Sequence, residues 1–250
     1  MSTVIIIPAR YASSRLPGKP LLRDTGKYLI QHVYEQASKC RQATKVIVAT
    51  DDNRIAQAVH GFGGTAFMTR ADHASGTDRI AEVARTLSAD IVVNLQGDEP
   101  QFDPAALDQL IDLLKHDPGV GLATLATPLH TLAEYQNPNI VKVVRADSGR
   151  ALYFSRSPIP FVRDGAPDFA SGMFLQHLGV YAYRREVLLQ LSAAAAAHPL
   201  EQAEQLEQLR ALALGIPIQV GVIPHGHKGV DTPDDYAAFV AACRVNDSRG

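Results

Sequence analysis

Between residues 4 and 126 the chain repeats one alternation, a short β-branched run followed by a helical apolar stripe, and this pattern restricts the fold more than any other feature. The strand-like runs are residues 4–7, 45–50, 65–68, 90–95 and 121–126. Between them come Leu29, Ile30, Val33, Tyr34 and Ala37, then Ile55, Ala56 and Val59, then Ile80, Val83, Ala84 and Leu87, and a run from Pro104 to Lys115 that enters helix through its proline. Strands joined through helices pair in parallel by right-handed crossovers, both faces of their sheet are covered, and ligands gather at the carboxyl ends of the strands. The expected class is α/β, with a doubly wound, mostly parallel sheet.

At the first such end the chain reads Pro8-Ala9-Arg10-Tyr11-Ala12-Ser13-Ser14-Arg15-Leu16-Pro17-Gly18-Lys19-Pro20, with the proline expected to close the strand. Arg10, Arg15 and Lys19 stand among small and backbone-restricting residues, a composition suited to a polyanion such as a triphosphate, although a solvated cationic loop has the same composition. It is not a Walker A loop, since Ser13 replaces the first glycine and Pro20 follows Lys19, and no G-x-G-x-x-G follows the strand. A second strand end carries Gln96-Gly97-Asp98-Glu99-Pro100 and is expected in the same crevice. Asp98 facing a polyphosphate would need a cation, for which Mg²⁺ is suited; Asp98 and Glu99 would equally serve as caps for the helix near Pro104. Asp231, in Gly229-Val230-Asp231-Thr232-Pro233-Asp234-Asp235, carries the same two readings, with Asp231 or Thr232 as the cap of a closing helix at residues 233–243. His225 and His227 alternate without a third ligand, so they read as loop residues and not as a zinc pair.

After residue 141 the pattern changes. Residues 141–146 and 151–156 read as a β-hairpin about Asp147-Ser148-Gly149, residues 178–183 as a further strand, 200–214 as one helical stripe and 218–223 as a last strand. The intervening 157–174 is loop-like, with aromatic residues that suggest a subunit contact. One domain over residues 1–250, with a β-rich subregion at about 140–185, is the expected organisation. A net charge of −2 excludes the basic balance of a dedicated nucleic-acid binder, and no apolar run approaches the length of a membrane span. Cys40 and Cys243 are too few for a disulfide framework, which makes the cytoplasm the expected location.

The run PARYASSRLPGKP resembles the signature of the 3-deoxy-D-manno-octulosonate (Kdo) cytidylyltransferases, and TRADHASGTDR (69–79), NLQGDEP (94–100), LYFSR (152–156), QHLGVYAYR (176–184) and GVDTPDD (229–235) match that family in the same order. The resemblance implies a nucleotide-diphospho-sugar transferase-like fold, a homodimer joined through the middle section, and transfer of CMP from CTP to Kdo for lipopolysaccharide synthesis. It puts the Mg²⁺ aspartates at Asp98 and Asp231 and, with Lys19, the catalytic centre. Nucleotide contacts would fall on Arg10, Ser13, Arg15, Lys19, Arg70, Ser75, Gly76 and Thr77, and sugar contacts on Gln96, Arg156, His177, Tyr181, Glu207 and Gln208. From the residues alone, Ser75 or Thr77 is as readily a helix cap, Tyr181 a core or dimer residue and Glu207 a solvated side chain. Arg156 suits a sugar carboxylate as a charge-assisted partner. A cytidylyltransferase for another sugar acid, such as a sialic acid, is the second reading, but the first loop of those relatives resembles ARGGSKGIPxKN, which residues 10–20 do not match. A non-catalytic nucleotide-binding regulator would tolerate loss of Asp98 or Asp231, and both are present.

Overall fold

The buried isoleucines of the first strand anchor the architecture. In the computed structural model, which describes residues 1–12, 16–73, 75–194, 198–226 and 229–247, Ile5, Ile6 and Ile7 are all fully buried. Successive strand residues point to opposite faces, so this strand is covered on both sides. The chain packs as two compact units, residues 1–108 with 227–250, and residues 109–226.

In the first unit the alternation folds as the sequence leads one to expect: β1 (Thr3–Ala9), α1 (Leu29–Ala37), β2 (Lys45–Thr50), α2 (Asn53–Gly61), β3 (Ala66–Met68), α3 (Gly76–Arg85) and β4 (Ile91–Asn94). All its strand pairs are parallel, β1 lying between β2 and β4 with β3 beyond β2. The strand β1 runs past Pro8, which keeps its register opposite Ala49, so the proline does not close it. The unit ends within α4 (Pro104–His116). Its remaining element is the C-terminal helix, Pro233–Asp247, whose Tyr236, Phe239 and Val240 pack with Leu29 of α1 and with Val230.

Caps assign several polar residues to structure and release others. Asp52 Oδ1 accepts from Arg54 N at 2.9 Å at the start of α2, and Ser75 accepts from Asp78 N at the start of α3. Asp103 Oδ1, and neither Asp98 nor Glu99, accepts from Ala105 N in the first turn of α4. At the C-terminal helix Thr232 Oγ1 accepts from Asp235 N, while the Asp235 carboxylate accepts from the backbone of Asp231 and Thr232. The caps shown at these two helices are thus made by Asp103, Thr232 and Asp235.

The second unit is mixed rather than parallel. Here β5 (Leu122–Pro128) and the five-residue α5 (Leu132–Gln136) lead to the hairpin of β6 (Lys142–Arg145) and β7 (Ala151–Ser155), then to β8 (Leu175–Arg184). β8 runs antiparallel to β5 and β6, and β9 (Ile218–Val222) parallel to β5. α6 (Arg185–Ala193) forms where the sequence pattern specifies no element, with Leu188 and Leu191 buried at helical spacing. The stripe expected as one helix over 200–214 is two, α7 (Pro199–Glu204) and α8 (Gln208–Ala213). Gln205 adopts a left-handed φ of 53° and ends the first. The 157–174 stretch is loop-like, as expected, with a single 3-10 turn at Phe169–Ser171, but part of it faces inward: Phe169 and Phe174 pack on Tyr135, whose hydroxyl donates to Pro160 O at 2.6 Å, while Phe161 stays 82% exposed.

One glycine sets the approach of β4's continuation to β1. A Cβ on Gly97 would stand 2.9 Å from Pro8 O, closer than such atoms pack. Gly97→Ala should therefore force the backbone apart and cost about 1–3 kcal/mol, read as a fall of several degrees in the thermal midpoint; an unchanged midpoint would contradict the close contact.

Candidate active site

The carboxyl end of β1 is where the charged residues of the first unit converge. Beyond β1 a 3-10 turn, Lys19–Leu21, follows Gly18 at φ 66°, and it aims Lys19 inward until its side chain is only 14% exposed. Lys19 Nζ donates to Asp98 Oδ2 at 2.6 Å and to Asp231 Oδ1 at 3.3 Å. The second aspartate arrives because Val230 N donates to Asp98 O at 2.8 Å, so a backbone bond sets the spacing of the two acids. Two carboxylates separated by more than 130 residues in sequence therefore share one ammonium.

Glu99 is a third acid at this place, and sequence reasoning saw in it only a cap. Burial first, then the charges of Asp98 and Asp231, push its pKa up to about 8. The charge part of that shift comes from two neighbouring carboxylates, a grouping that a hard, oxygen-seeking cation would relieve. Among the described residues no group of three or more His, Cys, Asp or Glu side chains forms a ready-made metal cage. Mg²⁺ does not need one, as it typically binds through one or two carboxylates together with phosphate oxygens, so the donor set of Asp98 and Asp231 fits it.

The connection after β3 and the first turn of α3 flank the same strand end. Arg10 Nη2 donates to His73 O at 2.9 Å, tying the first loop to this one, and Gly76 lies against the Pro8 ring, where a Cβ would meet it at 3.5 Å. Ser75 is engaged as the α3 cap, Thr77 is half-buried, and Arg70 is exposed beside Asp72 and Glu82. His73 in turn is hydrogen-bonded to Glu82. Arg79, on α3, is fully buried and donates to Thr69 Oγ1 and to Asp51 Oδ2, the latter at 3.1 Å. Tyr11 and Arg54 are further residues the sequence reading missed; the Arg54 guanidinium lies 3.4 Å from the Tyr11 ring centroid while binding Asp52. A lone tyrosine and a helix-surface arginine carry no pattern that would have linked them. Ser13, Arg15 and His227 lie outside the described residues; His225 is exposed.

Gln96, half-buried, immediately precedes Gly97 in the first unit. The other expected sugar contacts belong to the second unit and cluster there. His177 Nε2 is hydrogen-bonded to Thr124 Oγ1 at 2.9 Å, its ring lies 5.5 Å from that of Tyr181, and Tyr181 donates to Gln208 Oε1 at 3.1 Å. Gln208 is 5% exposed, and its Nε2 has no protein acceptor. A buried amide donor of this kind costs free energy until something accepts from it, which suits a ligand hydroxyl. Glu207 precedes it, exposed, at the start of α8. Arg156 is more committed than the sequence suggests: Nε, Nη1 and Nη2 donate to the carbonyls of Glu204, Pro138 and Gln205 at 2.7, 3.1 and 3.4 Å. A guanidinium has five N–H groups, so donors remain for a carboxylate.

Comparison with known proteins places the chain in a family. A cytidylyltransferase family model matches residues 4–218. The 3-deoxy-manno-octulosonate cytidylyltransferase of Syntrophobacter fumaroxidans is 54% identical over 243 residues, 96% of each chain, and that of Geobacter sulfurreducens is 51% identical over 94% of this chain and 96% of its own. A solved CMP:2-keto-3-deoxy-manno-octonic acid synthetase complexed with CTP superposes with a TM-score of 0.92 at 47% identity, covering 98% of this chain and all of the other. The chain is thus a cytidylyltransferase by family, and within that class it belongs to the 3-deoxy-manno-octulosonate cytidylyltransferases.

Burial alone pushes the His177 pKa from 6.5 down to about 3. Below the ordinary value the unfolded chain takes up a proton that the folded chain refuses, so this contribution to stability is whole above that pH and is lost progressively as pH falls toward the folded value. His177→Gln should make denaturant stability less steep in pH by about one proton between roughly pH 4 and 6. An unaltered slope would show that His177 titrates normally in the folded protein.

Proposed function

We propose that the protein transfers CMP from CTP to the anomeric hydroxyl of Kdo, releasing pyrophosphate, with the Lys19, Asp98 and Asp231 cluster as its catalytic centre. The observation that carries this reading is the sharing of Lys19 Nζ by the two aspartates at the end of β1, in a chain about half identical to the named relatives. Those names favour Kdo over a sialic acid. The Kdo hydroxyl oxygen forms a bond to the α-phosphorus as the bond to the bridging pyrophosphate oxygen breaks, so the protein supplies position and charge and needs no nucleophile of its own.

Each residue then has a task. Lys19 meets the triphosphate with its ammonium and balances charge on the departing pyrophosphate; Arg10 adds a second cation and, through His73 O, steadies the loop of Arg70, Ser75, Gly76 and Thr77 against the cytosine. Ser13 and Arg15 would extend the phosphate contacts. Asp98 and Asp231 hold Mg²⁺, which when bound supplies charge neutralisation at the phosphates and favours ionisation of the sugar hydroxyl. On the sugar acid, Arg156 faces the carboxylate, while Gln96, His177, Tyr181, Glu207 and the unpartnered Gln208 amide distinguish hydroxyls. His177, kept neutral by burial, offers hydrogen bonds without a competing charge.

A homodimer is part of the same reading. Phe161, Leu152 and Met173, 82%, 60% and 51% exposed on the second unit, are apolar side chains that a partner copy could cover. A cytoplasmic location accords with the free thiols Cys40 and Cys243, and among the described residues no helix is long and apolar enough to cross a membrane.

Pyrophosphate release with each nucleoside triphosphate against a panel of sugar acids tests the proposal. Release with CTP plus Kdo is expected, and release with a hexose 1-phosphate in its place would overturn it. In the same assay Asp98→Asn or Asp231→Asn should lower turnover a hundredfold or more, about 2.7 kcal/mol of lost transition-state stabilisation. Near-native rates in both would remove the aspartates from the chemistry.

A further inference from the structure

The break between α7 and α8 is held by a cluster of charges, two of which, Lys142 and Glu204, the reaction itself does not use. Lys142, on β6, is fully buried, and its ammonium donates to three carbonyls, Asn137 O at 2.9 Å and Ile140 O and Arg156 O at 2.6 Å each. The opposite charge is Glu204, the last residue of α7. Its Oε2 accepts from Arg156 N at 2.9 Å and its Oε1 from Ser155 Oγ at 2.6 Å, while its own carbonyl accepts from Arg156 Nε. Lys142 thus holds the Arg156 carbonyl, Glu204 holds the Arg156 amide, and the Arg156 guanidinium holds the carbonyls on either side of the α7 terminus. Burial disfavours the charged form of Lys142, the nearby Arg156 cation adds to that, and Glu204 opposes both.

The consequence lies two and three residues further on. Gln205, bonded through its carbonyl to Arg156, takes the left-handed conformation that few residues other than glycine adopt readily, and this turns the chain so that Glu207 and Gln208 open a new helix. The Gln208 side chain then meets Tyr181 with its Nε2 unpartnered. A continuous helix over 200–214 would carry both residues in other directions, since each residue rotates the side-chain direction by about 100°.

We infer that Glu204, with Lys142 and Ser155, is a positioning element of the sugar-acid subsite, setting the angle at which Arg156, Glu207 and Gln208 face the sugar without touching it. The inference rests on the sugar-binding reading above. A carboxylate suits residue 204 because its two oxygens accept separately, Oε1 from Ser155 Oγ and Oε2 from Arg156 N, whereas in the same pose a glutamine amide turns its nitrogen, a donor, towards one of them and carries no charge.

Steady-state pyrophosphate release by the full chain, with CTP and Kdo each varied, provides the test. Glu204→Gln should raise KM for Kdo about tenfold or more while leaving KM for CTP within about twofold, and Glu204→Asp, which keeps the charge, should recover part of the loss. A purely structural role predicts that both KM values move together, or that only the melting temperature moves; either result would overturn the inference. Should Glu204→Gln fail to yield folded protein, Ser155→Ala, which removes a single hydroxyl, decides the matter: a rise confined to the Kdo KM supports positioning, and unchanged constants overturn it. If the wild-type protein turns over CTP and Kdo but the variants behave as wild type, only the positioning role falls. Silence of the wild-type protein with Kdo removes both readings.

Discussion

The meeting of Lys19 with Asp98 and Asp231 is the interaction on which the first unit's arrangement turns. Bringing two carboxylates to one half-buried point is unfavourable without a cation, because each loses water and repels the other. Glu99 beside them has its pKa raised first by burial and then by the charges of these two acids. The fold sustains it with backbone: β1 fully packed on both faces, Gly97 permitting contact with Pro8 O, and Val230 N bonded to Asp98 O. Side chains that must carry charge are thereby held by groups that carry none. The carboxylates keep their spacing through that backbone hydrogen bond.

The second unit solves a different problem, presenting polar side chains from an otherwise packed sheet. Antiparallel β8 slips in register against β5 between Thr124 and Leu125. Thr124 answers that irregularity with its hydroxyl, which neighbours the carbonyls of Leu178 and Val180 and the ring of His177. His177 and Tyr181 consequently sit where burial holds the first neutral and raises the phenol pKa of the second. Hydrogen bonds, not charge, are what such residues can offer a polyhydroxylated ligand.

Much of the first unit was legible because its periods are long and clean. Strand runs of Ile and Val, separated by stripes at three- and four-residue spacing, leave little choice of element or connection. The convergence of Lys19 and Asp98 followed from the rule that places loops at strand carboxyl ends, and the choice of Thr232 over Asp231 as the cap needed only the structure to decide. Less was visible where a long-range contact overrides the local pattern. The stripe 200–214 is helical by every local measure, yet Arg156, some fifty residues earlier, captures the carbonyls of Glu204 and Gln205 and breaks it. Nothing in the local sequence links Arg79 of α3 to Asp51, to which it donates. Residues such as Tyr11, Arg54 and Lys142 show no period or motif, so only their contacts distinguish them.

The central claim is that the two aspartates and the loop cations read a metal-bound triphosphate as one object. Calorimetric CTP binding, measured with and without Mg²⁺ for the wild-type chain and for the Asp98→Asn, Asp231→Asn double variant, tests it without reference to turnover. The account predicts that Mg²⁺ tightens CTP binding to the wild-type protein and that this coupling disappears in the double variant. An equal Mg²⁺-dependent gain in both proteins would contradict it.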